Sequence, residues 1–248
     1  MILRYVFFLI QSCGLIFAAS SCNKQHNPVA VLQPETDSTV DPSPDSVSKS
    51  FLALGDSYTI GASVQPQERF PAQTAMLLRN HAYQIKEVEY IATSGWTTLN
   101  LQAAINEKNP KGTYDIVTLL IGVNDQYQTG GDTTGYRQRF TALLQKSIQL
   151  AANDTTHVFV LSIPDYSVTP FASGSDTAFI SRSIDQFNYI NRQVTESYGI
   201  SYTDITSYTR MAKTDASLLA ADGLHPSGKE YAVWAGLLQP TIDKVLEK

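Results

Sequence analysis

From Phe51 onward, short apolar runs alternate with longer stretches in which apolar residues recur every three or four positions. The runs have strand length and fall at 51–54, 85–92, 115–121, 158–163 and 200–205. The periodic stretches predict helices over 70–81, 98–107, 134–152, 177–198 and 227–247. In the third of these, Phe140, Leu143, Leu144, Ile148 and Ala151 fall on one buried face. Pro71 sits in the first turn of its helix, where a missing N–H leaves nothing unpaired. The run DIVTLLI at 115–121 is almost entirely β-branched residues and leucine, the composition of a parallel strand covered on both faces. Strand and helix alternate throughout, which predicts an α/β domain with helices on both faces of a parallel sheet. Right-handed crossovers make a three-layer αβα sandwich of flavodoxin-like topology the simplest arrangement. Ligands of such sheets bind outside the carboxyl ends of the strands.

The chain before Phe51 has a different character. Arg4 precedes an apolar stretch from Tyr5 to Ala19, and small residues lead to Cys22, the order of a secretory signal over 1–21. A membrane span is the competing reading, but Gln11-Ser12 interrupts the run below the roughly 20 residues that spanning requires. Ala19-Ser20-Ser21-Cys22 resembles a bacterial lipobox, with Ala19 where leucine is usual; Cys13, preceded by Ile10-Gln11-Ser12, fits less well. Acylation of Cys22 with two or more chains would anchor the protein firmly. The expectation is an exported protein held to a bacterial membrane by lipid. Residues 22–50 would then be the lipidated cysteine and a linker, rich in Pro, Ser, Asp and Thr and without an apolar period. As a flexible coil it would reach on the order of 30 Å; the alternative is an arm packed on the domain. Residues 51–248 remain for one domain of ordinary size.

Composition removes several functions. The formal charge is −5, with 18 basic and 23 acidic residues and no basic cluster, so nucleic acid is not an expected partner. The only cysteines are Cys13 and Cys22, which excludes a disulfide, a thiolate nucleophile and a cysteine metal ligand from the domain.

The segments after the predicted strands carry the candidate chemistry. They read Gly55-Asp56-Ser57 after the first, Thr93-Ser94-Gly95-Trp96 after the second and Gly122-Val123-Asn124-Asp125 after the third. A further loop, Asp222-Gly223-Leu224-His225-Pro226, precedes the last helix. Ser57 alone reads equally as a helix N-cap or as a nucleophile presented at a strand end. A nucleophilic serine needs a base, a carboxylate that orients the base, and donors for an oxyanion. Of the four histidines, His26 lies in the linker, His81 at a helix end and His157 at the start of a strand. His225 alone lies in a loop that can return to the carboxyl edge. Asp222, three residues earlier, can hold the ring nitrogen facing away from the serine. Gly95 and Asn124, each a turn residue when taken singly, are candidate oxyanion donors together with the Ser57 N–H. Trp96 has three readings: a ring stacked on a sugar, the wall of an acyl channel, or packing.

These four segments resemble, in order, the motif blocks of the GDSL, or SGNH, hydrolase family: GDS at 55–57, Gly95, GVND at 122–125 and DGLH at 222–225. The first block reads GDSY where the family name has GDSL, so Tyr58 departs from it. A G-x-S-x-G elbow is absent, which argues against the α/β-hydrolase fold. The resemblance implies Ser57 as nucleophile, His225 as base oriented by Asp222, and Ser57, Gly95 and Asn124 as oxyanion hole. It implies an esterase or deacylase that needs no metal or organic cofactor, acting on acylated carbohydrate or small esters. Two alternatives stand beside it: a lysophospholipase or thioesterase for long acyl chains, and a surface lipoprotein that binds glycan without catalysis.

Overall fold

The computed structural model describes residues 48–247, so the expected signal, Cys13, Cys22, His26 and nearly all of the linker lie outside the described residues. Five parallel strands, β1 (Phe51–Gly55), β2 (Glu89–Ala92), β3 (Ile116–Leu120), β4 (Val158–Leu161) and β5 (Ser201–Thr203), form one sheet in the order β2-β1-β3-β4-β5. That is the flavodoxin-like order. Every residue of β1, β3 and β4 is buried, as their nearly unbroken apolar sequences require.

Among the described residues there are eight α-helices in chain order: α1 (Ser57–Ile60), α2 (Phe70–Asn80), α3 (Thr98–Lys108), α4 (Val123–Thr129), α5 (Tyr136–Leu150), α6 (Thr177–Ser197), α7 (Thr206–Thr209) and α8 (Gly228–Leu246). The chain leaves β1 in one direction to reach β2 and in the other for β3, β4 and β5. Right-handed crossovers therefore put α2 on one face and α3, α5 and α6 on the other. The packing agrees, with α2 against α8 and α3 against α5 against α6. The result is the three-layer αβα sandwich. Phe70, Tyr231 and Trp234 lock α2 to α8, with ring centroids 5.0–6.3 Å apart. Among the described residues, no helix is long and apolar enough to cross a membrane.

Three of the elements that differ from the periodicity reading do so for a clear local reason. The strand expected from 85 begins only at Glu89, and Ile85 keeps a single bridge to Lys49. The Arg79 guanidinium takes the carbonyls of Ile85 and Lys86 at 2.9–3.1 Å, so a side chain replaces a neighbouring strand as their partner. The expected helix from 134 starts at Tyr136, after Gly135. Before it stands α4, seven residues between Gly122 and Gly130, too short to show a helical period. Gly122 enters α4 at φ +127°, where a side chain would also run into the Tyr136 hydroxyl.

Register brings the site segments to one level. Gly55 pairs with both Ala92 of β2 and Leu120 of β3, so the loops after all three strands leave the sheet together. The β1–β3 junction is where the chain's direction of winding reverses, the position at which such sheets open a crevice.

Candidate active site

Ser57 is the first residue of α1 rather than its cap. The cap is Asp56, whose carboxylate accepts the Tyr58 N–H at 3.0 Å. Asp56 is fully buried beneath the serine. Burial pushes its carboxyl up to about 7, against the Tyr58 N–H, which favours the ionised form. Ser57 is 5% exposed and its Oγ makes no hydrogen bond among the described residues.

The loop before α8 places the proposed base. Asp222 Oδ2 lies 2.6 Å from His225 Nδ1, and Asp222 Oδ1 accepts the backbone N–H groups of Leu224 and His225 at 3.0 Å. Ser63 donates to Asp222 Oδ2 at 2.5 Å from a backbone held at φ +66°, which is unusual for a non-glycine residue. Burial alone would raise the Asp222 carboxyl, but the hydrogen bonds from Ser63 and His225 outweigh it and hold it well below the usual carboxylate range. With Nδ1 facing Asp222, Nε2 is the ring nitrogen left for another partner. The Tyr58 ring packs against the imidazole, centroids 5.1 Å apart, so the residue that departs from the family name supports the base.

Asn124 stands near the start of α4. Its Nδ2 donates to the Trp96 carbonyl at 3.1 Å and lies 3.5 Å from Asp56 Oδ2, the outer limit of a hydrogen bond. One amide hydrogen is thus held firmly and the other weakly. Gly95, at φ +82°, is exposed on the loop after β2. Its carbonyl accepts from Gln128 of α4 at 3.1 Å, and no hydrogen bond among the described residues uses its N–H or that of Ser57. Asp125, 3% exposed, ties α4 to the start of α3 by accepting the N–H and hydroxyl of Thr98 at 2.8 and 2.6 Å.

Ser57, Asn124 and His225 line one cleft of about 90 Å³. The rest of its wall is apolar, from Val123, Leu224 and the rings of Tyr58, Tyr127, Tyr166 and Phe171. The structure thus brings the serine, the Asp222–His225 pair and Asn124 together; Gly95 is stitched to the site through α4 but does not line the cleft. Trp96 packs against the core and contributes its carbonyl, not its ring. His81 pairs with Asp243 on α8 at 2.8 Å, and His157 Nδ1 meets the Asp115 carbonyl at 2.5 Å near the start of β3, both far from this edge.

Five contributors escaped the sequence reading. Asp56 and Asp125 are inside the motif blocks but their supporting hydrogen bonds are not visible in one dimension. Ser63 acts from a backbone conformation that its residue type does not announce. Tyr127 and Phe171 lie outside the motif blocks and carry no signal of their own in the sequence. Among the described residues, no group of three or more His, Cys, Asp and Glu side chains is placed to hold a metal ion.

A family model, the GDSL-like Lipase/Acylhydrolase family, matches residues 53–233. An acetylxylan esterase from Geobacillus stearothermophilus has a similar structure, with TM-score 0.60 and 22% identity over 78% of this chain and 94% of that one. So does the esterase EstA from Pseudoalteromonas sp., with TM-score 0.57 and 18% identity over 81% and 100% of the two chains. The lipase Lip_vut3 from a goat rumen metagenome gives 0.62 and 21%, over 78% and 97%. At these identities the likeness is one of fold. No curated protein sequence matches this chain.

Proposed function

The chain belongs to the GDSL-like lipase/acylhydrolase family, and on that premise we propose that it hydrolyses esters by two-step acyl transfer through Ser57, on acylated carbohydrate or small esters. The observation that carries the reading is the 2.6 Å pair of Asp222 and His225 on a loop that shares one cleft with Ser57.

His225 Nε2 takes the Ser57 proton as Oγ attacks the ester carbonyl. The carbonyl oxygen gains a full negative charge, met by the N–H of Ser57 and by the weakly held hydrogen of Asn124 Nδ2, both residues of the cleft wall. Collapse of this adduct breaks the bond to the alcohol, which leaves with the proton from His225. Water then gives its proton to His225 and attacks the acyl-serine, and the acid departs as Ser57 Oγ recovers the proton. Asp222, ionised by its four hydrogen-bond donors, keeps Nδ1 protonated through both steps and stabilises the imidazolium.

The size of the cleft favours small acyl groups. At about 90 Å³ it is well under the ~300 Å³ at which pockets for drug-sized ligands begin. A fluorophosphonate probe tests the central claim, since it should label the protein covalently and label Ser57→Ala not at all. Asn124→Ala should keep the fold and lose on the order of 10²–10³ in kcat, the effect of one missing oxyanion donor. A rise in KM with kcat unchanged would mean that Asn124 binds ground and transition state alike.

Export and lipid anchoring are part of the same proposal, resting on the Ala19-Ser20-Ser21-Cys22 segment. The parent protein should incorporate radiolabelled palmitate in bacterial cells, and Cys22→Ala should incorporate none. Equal label in both would place the anchor elsewhere or nowhere.

A further inference from the structure

Three aromatic rings stand together in the wall of the cleft. Tyr127 lies 6.1 Å from Tyr166 and 5.9 Å from Phe171, and Tyr166 lies 6.2 Å from Phe171, centroid to centroid, a closed triangle. Packing alone does not account for it, because Tyr127 is 56% and Phe171 49% exposed while both line the same space as Ser57. Such rings cover more surface when something apolar lies against them.

The triangle is held in place. Tyr127 is three residues beyond Asn124 on α4, one turn along the same helix. Tyr166 donates its hydroxyl to buried Gln126 at 2.9 Å. The Phe171 N–H donates to the Gly223 carbonyl at 3.2 Å, which fixes the Phe171 loop to the loop of Asp222 and His225. The three rings are therefore tied to the two segments that supply the proposed oxyanion donor and base. A carbonyl whose oxygen meets Asn124 carries its acyl substituent in the same cleft as the Tyr127 turn.

We infer that Tyr127, Tyr166 and Phe171 form the acyl-side wall of the site and restrict it to short acyl chains, an inference that rests on the acyl-transfer reading of Ser57. An acetyl group fills the space beside the rings, whereas a chain of eight carbons must displace Tyr127 or Phe171. Because both rings reach solvent, replacing either with alanine opens the wall without leaving a hole in the core.

The test is a series of p-nitrophenyl esters from acetate to octanoate, given to the wild type, Tyr127→Ala and Phe171→Ala. The leaving group is constant, so contacts on the alcohol side cancel from the ratios. The wild type should prefer acetate, and each variant should raise the octanoate-to-acetate ratio of kcat/KM by about tenfold or more, the range for chain-length discrimination in an apolar pocket. An unchanged ratio, with all esters slowed equally, would overturn the inference and put the rings on the alcohol side. Octanoate preference in the wild type would overturn it too. Fluorophosphonate labelling, run in parallel, separates the two levels. Label without a shift in ratio removes only the acyl wall; no label on the wild type removes the acyl-transfer reading and this inference with it.

Discussion

Ser57→Ala should lose activity on the order of 10⁶ in kcat while unfolding at nearly the parent temperature. The size follows from the role, since removing the nucleophile leaves only substrate binding and oxyanion stabilisation to act on the ester. The intact fold follows from the geometry. Ser57 Oγ makes no hydrogen bond among the described residues, and the cap of α1 is Asp56, which the substitution leaves in place. The loss of one small hydroxyl at a site that opens on the cleft leaves no cavity in the core. Activity on p-nitrophenyl acetate and the thermal midpoint of the same sample decide it. Wild-type turnover from a folded Ser57→Ala protein would falsify the assignment of Ser57.

Asp222→Asn should fall on the order of 10⁴ in kcat, again without a large change in stability. The asparagine oxygen can still accept the two backbone N–H groups that Asp222 Oδ1 holds at 3.0 Å, so the loop keeps its shape. On the other side an NH2 group replaces Oδ2 and donates to His225 Nδ1. The ring proton must then sit on Nε2, the nitrogen that has to take the serine proton. The readout is therefore a kcat collapse with the thermal midpoint kept. Loss of both together would reduce Asp222 to a residue that holds the loop. The wild-type carboxyl lies below the usual carboxylate range, so its contribution is complete above about pH 4 and fades only as acid approaches its depressed folded value.

These expectations reach different distances into the sequence. β1, β3 and β4 were legible because strands buried on both faces must be apolar at every position, and 51–54, 115–121 and 158–163 are nearly so. The long helices α2, α5, α6 and α8 were legible within a few residues, since each spans several turns of one buried face. Short elements were not. Four residues of α1 and seven of α4 give too few turns for a period, and β2 starts late because Arg79 takes the carbonyls of Ile85 and Lys86 before it.

The chemistry divides in the same way. Local pairings were readable: Asp222 and His225 are three residues apart, and a turn between them brings the carboxylate to the ring. The family blocks, 55–57, Gly95, 122–125 and 222–225, name their residues in one dimension because each sits directly beside an element end. By itself, then, the sequence determined the layer architecture and the residue types at the carboxyl edge. Only the tertiary structure decided that Ser57 shares one cleft with Asn124 and His225, that Ser63 reaches Asp222 across 159 positions, and that Tyr127, Tyr166 and Phe171 close on one another. The physical reason is range. Periodicity and capping act over a few residues, whereas these contacts depend on how parallel strands align in register and where each following loop turns, which no local stretch specifies.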